Sequence, residues 1–409
     1  MRRAFILAGV LLAMTSPGEA QRSGADVTQW RGSARDGIIT GLTTPGAWPE
    51  MLTERWKVEI GTGYATPLVV GDRVYQFSRI GDNETMTALD AASGKVLWQA
   101  GYPATFTMNP ATKQHGPGPK STPVFFNGRL YSIGMTGTVT AWEAASGKQV
   151  WQKVGTGPEM LYTTHAFSPL VDGGNVIFHV GGNDKGALTA FDLNTGAVAW
   201  SWTGDGPGYA SPVVATIDGV RQIITPTQVK IVGVDASTGT LLWERPMKHQ
   251  FTSNSITPIV SGQTVIVAGT GPLFAFAVAR RGGQWATEQI WENTELPLRF
   301  TTPVVAGDTL YGLSGRNAGQ YYAMDARTGK TLWTSDGRQA AHASMARAGD
   351  LLFSLESDGE LVIARNNQTA FELVRRYKVS ANETWAQPAI SGNRAFVKDV
   401  TSLTLWSWN

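Results

Sequence analysis

The 409-residue chain contains no cysteine. That excludes a disulfide framework and any zinc site built on thiolates. It also removes the thiol by which a bacterial lipoprotein is anchored behind its leader. Charge is scarce as well. Asp, Glu, Lys and Arg together make up 16% of the residues, against ~25% in an average soluble chain. Coiled coils, long polar helices and disordered tails all need more charge than this. Neither sign dominates. The formal net charge is +2 and no long basic run occurs, so nothing here marks a nucleic-acid or anionic-membrane partner. Apolar runs are short. The most prominent, Ala4 to Met14, follows Arg2 and Arg3 and precedes Gly18-Glu19-Ala20. It is too short to span a bilayer. A basic start, a short apolar stretch and small residues before the cut predict a signal peptide over residues 1–20. The expected address is periplasmic or secreted, without a membrane anchor. Familiar catalytic signatures are also missing: there is no G-x-S-x-G, H-E-x-x-H, P-loop or G-x-G-x-x-G.

What the chain has in quantity is glycine (47), tryptophan (15) and apolar residues (42%). That mixture suits many short strands joined by tight turns. A motif D-x3-G-x3-W recurs at Asp90-Gly94-Trp98, Asp192-Gly196-Trp200, Asp235-Gly239-Trp243 and Asp325-Gly329-Trp333. Glu143-Gly147-Trp151 is the same motif with Glu for Asp. The wide gap between Asp235 and Asp325 predicts a decayed copy closed by Trp291, behind an insertion at Arg280 to Trp285. In each copy the Asp caps turn amides and the Gly supplies a positive φ. The Trp can then wedge between neighbouring sheets and bury a large flat surface.

A second element alternates with the first. Ser/Thr-Pro precedes a β-branched run at Pro67, Pro123, Pro169, Pro212, Pro258 and Pro303, with weaker copies at Ser344-Met345 and Gln387-Pro388. Proline is tolerated at the first residue of a strand, where no ladder donor is needed. Four strands per ~45 residues, repeated, predicts a propeller. The reading is an all-β protein with eight blades of four antiparallel strands. Glu54 to Ile60 is an orphan strand that would close the ring by pairing with the last blade, removing the open edge. Residues 53–409 then form one domain, and residues 21–52 form an arm that Trp30 to Gly37 would dock onto it.

These motifs resemble the PQQ-like propeller repeat family, whose docking motif reads Ala-x-Asp-x-x-Thr-Gly-Lys-x-x-Trp. Ala190, Asp192, Thr195, Gly196 and Trp200 match it, as do Ala323, Asp325, Thr328, Gly329, Lys330 and Trp333. The Trp-Arg-Gly-x-x-Arg-x-Gly opening at Trp30 to Gly37 is similar to that of BamB-like exported propeller proteins. The resemblance covers about residues 26–409. It implies the fold, and it implies two kinds of function: a non-catalytic scaffold, or a dehydrogenase using pyrroloquinoline quinone (PQQ) and calcium. The dehydrogenases of the family carry an adjacent Cys-Cys disulfide and hold calcium with Glu, Asn and Asp. This chain has no cysteine, and the sequence alone does not place such a trio.

A site would lie where the blades differ. The residues just before the innermost strands should ring one mouth of the channel. They include Tyr64, Lys120, Tyr209, Phe300, His342 and Trp385, with His165, Asn254 and Arg299 one position earlier in their blades. Aromatic walls with a few cations suit a planar or sugar-like ligand. Residues 103–120 form a Gly- and Pro-rich insertion over the same face. His115, His165 and His342 could share that face, though no spacing on a single element specifies a metal. The expected protein is a monomer that binds a protein partner or small molecule, with no cofactor required. The alternative is a quinone dehydrogenase, with Lys120 or Arg299 near the quinone oxygens. A hydrolase or lyase built on His165 and His342 would need those two imidazoles within metal-bridging distance.

Overall fold

The computed structural model describes residues 26–105, 107–155, 164–247, 254–269 and 271–408. The predicted signal peptide lies outside them. The strands form eight four-stranded antiparallel sheets. Blades 1 to 7 follow one another along the chain, each starting with its innermost strand. Blade 1, for example, runs through Leu68–Val70, Arg73–Ile80, Asn83–Asp90 and Val96–Pro103. Blade 8 is composite. Its inner strands are Ala389–Ser391, Arg394–Lys398 and Ser402–Ser407, and its outer strand is Thr53–Glu59 from the other end of the chain. Trp56 lies opposite Leu405 in that pairing. The ring therefore closes as the orphan strand predicts.

The repeat motif is the joint between blades. Trp98 of blade 1 donates its indole N–H to the Ala144 carbonyl of blade 2 at 3.1 Å. Its ring covers Gly147, where a Cβ would meet the indole at 2.4 Å. The same contact joins Trp151 to Leu193 and Gly196, Trp200 to Ala236 and Gly239, and Trp291 to Ala326 and Gly329. Trp56 closes the circle on Ala91 and Gly94. Asp90, Asp192, Asp235 and Asp325 accept the turn amides that hold each Gly in place. Glycine is thus required twice over, for its positive φ and for the space the indole takes.

Three joints depart from the pattern. Blade 5 has a long hairpin, Gly271–Arg281 and Gln284–Leu298, in place of the D-x3-G turn. Trp243 consequently donates within its own blade, to Gln222 Oε1 at 2.7 Å, and packs edge-on to Phe276. Trp333 of blade 6 keeps its donor role, to the Asn367 carbonyl of blade 7. The outer strand of blade 7, Glu372–Lys378, carries no tryptophan. Trp48 from the arm fills that joint, 6.0 Å from the Phe353 ring and 5.3 Å from the Trp408 ring.

The arm does more than dock. It crosses the channel and bonds to every blade. Val27 pairs with Val69 of blade 1, and the Thr28 carbonyl accepts from the Phe125 amide of blade 2. Arg35 donates to the Ser168 and Pro169 carbonyls of blade 3 and to Pro212 of blade 4. Trp30 donates to Thr257 Oγ1 of blade 5. Arg31 donates to Thr302 and Pro303 of blade 6 and to Met345 of blade 7. The Thr43 amide then reaches the Gly392 carbonyl of blade 8. The innermost strands have no neighbour on their channel side, so their carbonyls need donors. A guanidinium supplies five in a fixed plane. Arg31 and Arg35 both adopt φ 60, and the nearby Gly37 is pressed against the Arg31 guanidinium. The spacing of the motif thus follows from fitting two guanidinia into one channel.

Two outcomes follow for stability. Trp200 is 7% exposed, and its loss opens a cavity at a joint. Trp200→Ala is expected to cost ~3–5 kcal/mol, read as a lower urea midpoint without loss of strand signal in circular dichroism. His179 is fully buried beside the Asp205 carbonyl, and burial pulls its pKa down to about 4. Unfolded histidine takes a proton near pH ~6.5. The unfolded chain therefore binds more protons between pH 6.5 and 4, and stability falls as pH falls through that window. His179→Phe removes this contribution. The melting-temperature gap between the variant and the parent should narrow from pH 7 to pH 4.5.

Candidate functional site

Of the residues before the inner strands, Tyr64, Phe300, His342 and Trp385 gather in one aromatic cluster. Trp385 is the centre of the group. The His342 ring lies against it, with centroids 3.4 Å apart at 32°. Phe300, Tyr64 and His115 surround it at 5.5, 6.1 and 5.0 Å. Phe300 also meets His342 edge-on. His115 comes from a short 3-10 turn, Pro110–His115, inside the predicted insertion. So blades 1, 6, 7 and 8 and the insertion meet in one aromatic cluster.

Lys120 stands beside it, 4.6 Å from the Tyr64 ring centre. Its ammonium donates to the His115, Gly116 and Gly118 carbonyls, which fixes the insertion over the mouth. Burial lowers its pKa to about 7, helped by the positive charge of Lys398. Lys398, at the end of the second strand of blade 8, is wholly buried and donates to the Asp399 and Val400 carbonyls. Burial brings it down to about 8. Burial also pushes the Tyr64 hydroxyl up to about 12 and the His342 imidazole down to about 4. At neutral pH Tyr64 and His342 are uncharged.

The other predicted residues sit apart from this group. His165 is packed inside, bonded to the Gly181 and Met135 carbonyls. Its electrostatic neighbour is His179 rather than His342, so the residues required for a two-histidine metal site are not brought together. Asn254 is fully buried and donates to the Thr227 and Gln228 carbonyls, and its Oδ1 has no partner. Its own carbonyl accepts from the Tyr209 amide. Arg299 is exposed at the rim.

The donor set can be tested against the cation that the resemblance implies. Calcium needs six to eight oxygen ligands, with carboxylates among them. The positions one step ahead of the mouth ring carry His165, Asn254 and Arg299. Among these only Asn254 has a free oxygen. Among the described residues one acidic group could hold an ion: Glu356, Asp358 and Glu360. Arg376 already bonds both glutamates at 2.5 Å, and Tyr321 donates to Glu356. That cluster is an internal ion pair of blade 7. At the mouth Glu383 accepts from the Trp385 indole at 3.3 Å and, with Asp399, acts on Tyr64, but among the described residues no three acidic or imidazole ligand atoms converge there.

The arm supplies two residues that the sequence reading did not place here. Trp30 and Arg31 line a cavity of about 50 Å³ together with Phe300, His342, Thr384 and Trp385. Both belong to the docking motif, so the available signal was the motif itself. What it lacked was a reason to send the arm down the channel.

Comparison with known proteins is consistent with this geometry. A family model described as outer membrane protein assembly factor BamB matches residues 82–335. The dehydrogenase subunit of a quinone alcohol dehydrogenase from Komagataeibacter europaeus is 28% identical over 229 residues, which is 48% of this chain and 30% of that one. The chain thus spans less than a third of that relative. The outer membrane protein assembly factor BamB of Shewanella oneidensis is 26% identical over 296 residues, covering 68% of this chain and 71% of that one. Among solved structures, BamB from Moraxella catarrhalis superposes with a TM-score of 0.63 at 18% identity, covering 88% of this chain and 100% of that one. Quinohemoprotein alcohol dehydrogenase from Comamonas testosteroni gives 0.66 at 15%, covering 95% and 81%. At those identities the superpositions speak for the fold alone. With eight docked blades and a family match running through more than half of its length, the chain belongs to the PQQ-like propeller family described as outer membrane protein assembly factor BamB.

Proposed function

We propose that this protein is a non-catalytic binding propeller, working in the periplasm or as a secreted monomer, with the Trp385 mouth as its contact face. The observation that carries the reading is the character of that mouth. It presents tilted and edge-on aromatic rings with Lys120 beside them, and among the described residues no three acidic or imidazole ligand atoms converge there. The arm adds to this, because Trp30, Arg31 and Arg35 occupy the channel axis. Aromatic and arginine side chains in a sheltered rim are also the residue types that carry binding energy at interfaces.

The competing reading is the quinone dehydrogenase suggested by relatives of that name. Titration of the purified protein with PQQ in excess calcium separates the two. The binding reading predicts no saturable quenching of tryptophan fluorescence at micromolar PQQ and no dye-linked alcohol oxidation. Stoichiometric quenching that disappears on chelating the metal would overturn it.

A further inference from the structure

The rim of blade 6 gathers arginines that the aromatic cluster does not use. Arg299 and Phe300 connect the long hairpin of blade 5 to the inner strand of blade 6, Val304–Ala306. The Arg299 carbonyl accepts from the Ser255 hydroxyl at 2.6 Å, which fixes that connection. Arg316 lies in the turn between Thr309–Ser314 and Gln320–Asp325. That turn is beside the connection, since a Cβ on Gly315 would stand 3.7 Å from the Arg299 side chain. Arg338 follows the outer strand Thr331–Thr334, and its amide donates to the Asn317 carbonyl at 2.9 Å. Three separate segments thus bring Arg299, Arg316 and Arg338 to one rim, and all three side chains are exposed.

None of the three forms an ion pair among the described residues. Elsewhere on the surface Arg221 pairs with Asp172, Arg281 with Glu288 and Arg365 with Asp350. Glu295 gives its carboxylate to the Thr331 hydroxyl and only its carbonyl to Arg316, at 3.4 Å. Asp336 is the one acid within the three segments. The turn of blade 7 equivalent to that of Arg316 carries the exposed Asp358 instead, so the positive sector stops there. The backbone adds a second observation. Arg338 sits at φ 61, a conformation that glycine adopts freely and a residue with a Cβ does not. Strain of this kind persists where the surroundings impose it, and it gathers at functional sites. Beside Arg299, Phe300 is 45% exposed, and its ring meets Trp385 at 5.5 Å. The rim therefore joins a basic edge to the aromatic cluster.

We propose that the blade 6 rim docks an acidic protein segment that also carries an apolar side chain. Arg299, Arg316 and Arg338 pair with its carboxylates, and Phe300 covers its apolar residue. The inference deepens the reading of the mouth as a contact face and rests on it. A guanidinium offers a planar fork that matches a carboxylate, and such charge-assisted bonds are roughly twice as strong as neutral ones. Charges spread over three turns suit a run of carboxylates better than a single small anion. A lipid surface is the poorer match. It calls for basic residues over a broad face, whereas the chain has a net charge of only +2 and Asp358 borders the patch. Arginine and exposed aromatic residues are also the types that carry most of the energy at protein interfaces.

The probe is a fluorescein-labelled peptide, Glu-Asp-Phe-Glu-Asp-Phe-Glu-Asp, with two controls: one with Lys at every acid, one with Ser at each Phe. Fluorescence anisotropy at neutral pH and low salt should give saturable binding of the acidic peptide and none of the lysine peptide. Added salt should weaken it. Arg299→Glu, Arg316→Glu and Arg338→Glu combined should weaken the acidic peptide at least tenfold and gain binding of the lysine peptide. Phe300→Ser, or the serine control, should cost at least threefold. These side chains are exposed, and circular dichroism checks that the ring is intact. Arg338→Gly removes the charge and the strain together, so it should weaken the peptide without lowering the urea midpoint. Absence of saturable binding up to ~1 mM, or full affinity in the triple variant, overturns the proposal. So does a silent peptide when phosphatidylglycerol vesicles bind the parent and not the triple variant, which would assign the rim to a membrane. Calcium-dependent quenching by PQQ is a separate failure. It overturns the binding reading beneath the proposal, whereas a silent peptide titration leaves that reading standing.

Discussion

The structure depends on one contact, repeated around the ring: an indole laid over a glycine turn of the next blade, with its N–H on a turn carbonyl. A single four-stranded sheet of this size cannot bury both of its faces. The tryptophan turns one sheet's outer strand into cover for its neighbour, so each blade is stable only in the company of the next. Where the glycine turn is missing, at blade 5, Trp243 turns back to Gln222. Where the tryptophan is missing, at blade 7, the arm delivers Trp48 to the same joint. Both exceptions show that the joint must be filled even when the motif decays.

A closed ring creates a second demand. Its innermost strands face a channel with unpaired backbone carbonyls. The arm meets it with Arg31 and Arg35, which bridge blades on opposite sides of the axis. That solution has a chemical consequence. It places positive charge in a sheltered channel and sets Trp30 and Arg31 as one wall of the mouth cavity. Architecture and binding chemistry thus share residues, and the arm is part of the site as well as part of the fold.

The sequence makes the ring legible because its signals are local. Asp, Gly and Trp at fixed spacing specify a turn and a wedge, and six Ser/Thr-Pro copies with two weaker ones count the blades. Closure could be read from Glu54 to Ile60 because the last unit lacked a strand. The mouth was legible in part. Counting back from each proline found Tyr64, Lys120, Phe300, His342 and Trp385, which do converge. It could not tell that His165 points into the packed sheet, since one residue of offset and the bonds to Met135 and Gly181 decide that. Lys398 escaped notice because it ends a second strand, outside the positions being counted. Trp30 and Arg31 were legible as part of a docking motif but not as residues of the mouth, because the partners that place them lie more than two hundred residues away.

The claim that the arm is a structural member of the channel can be tested most directly by native-state hydrogen exchange. The amides of Val27, Ile39 and Thr43 bond to blades 1, 7 and 8, and the Phe125 amide bonds to the arm. If the arm is integral to the ring, these amides exchange only with global unfolding, at the rate of the blade cores. Fast exchange at these four positions, with the blades still protected, would show that the arm rests on the ring loosely and would contradict the account.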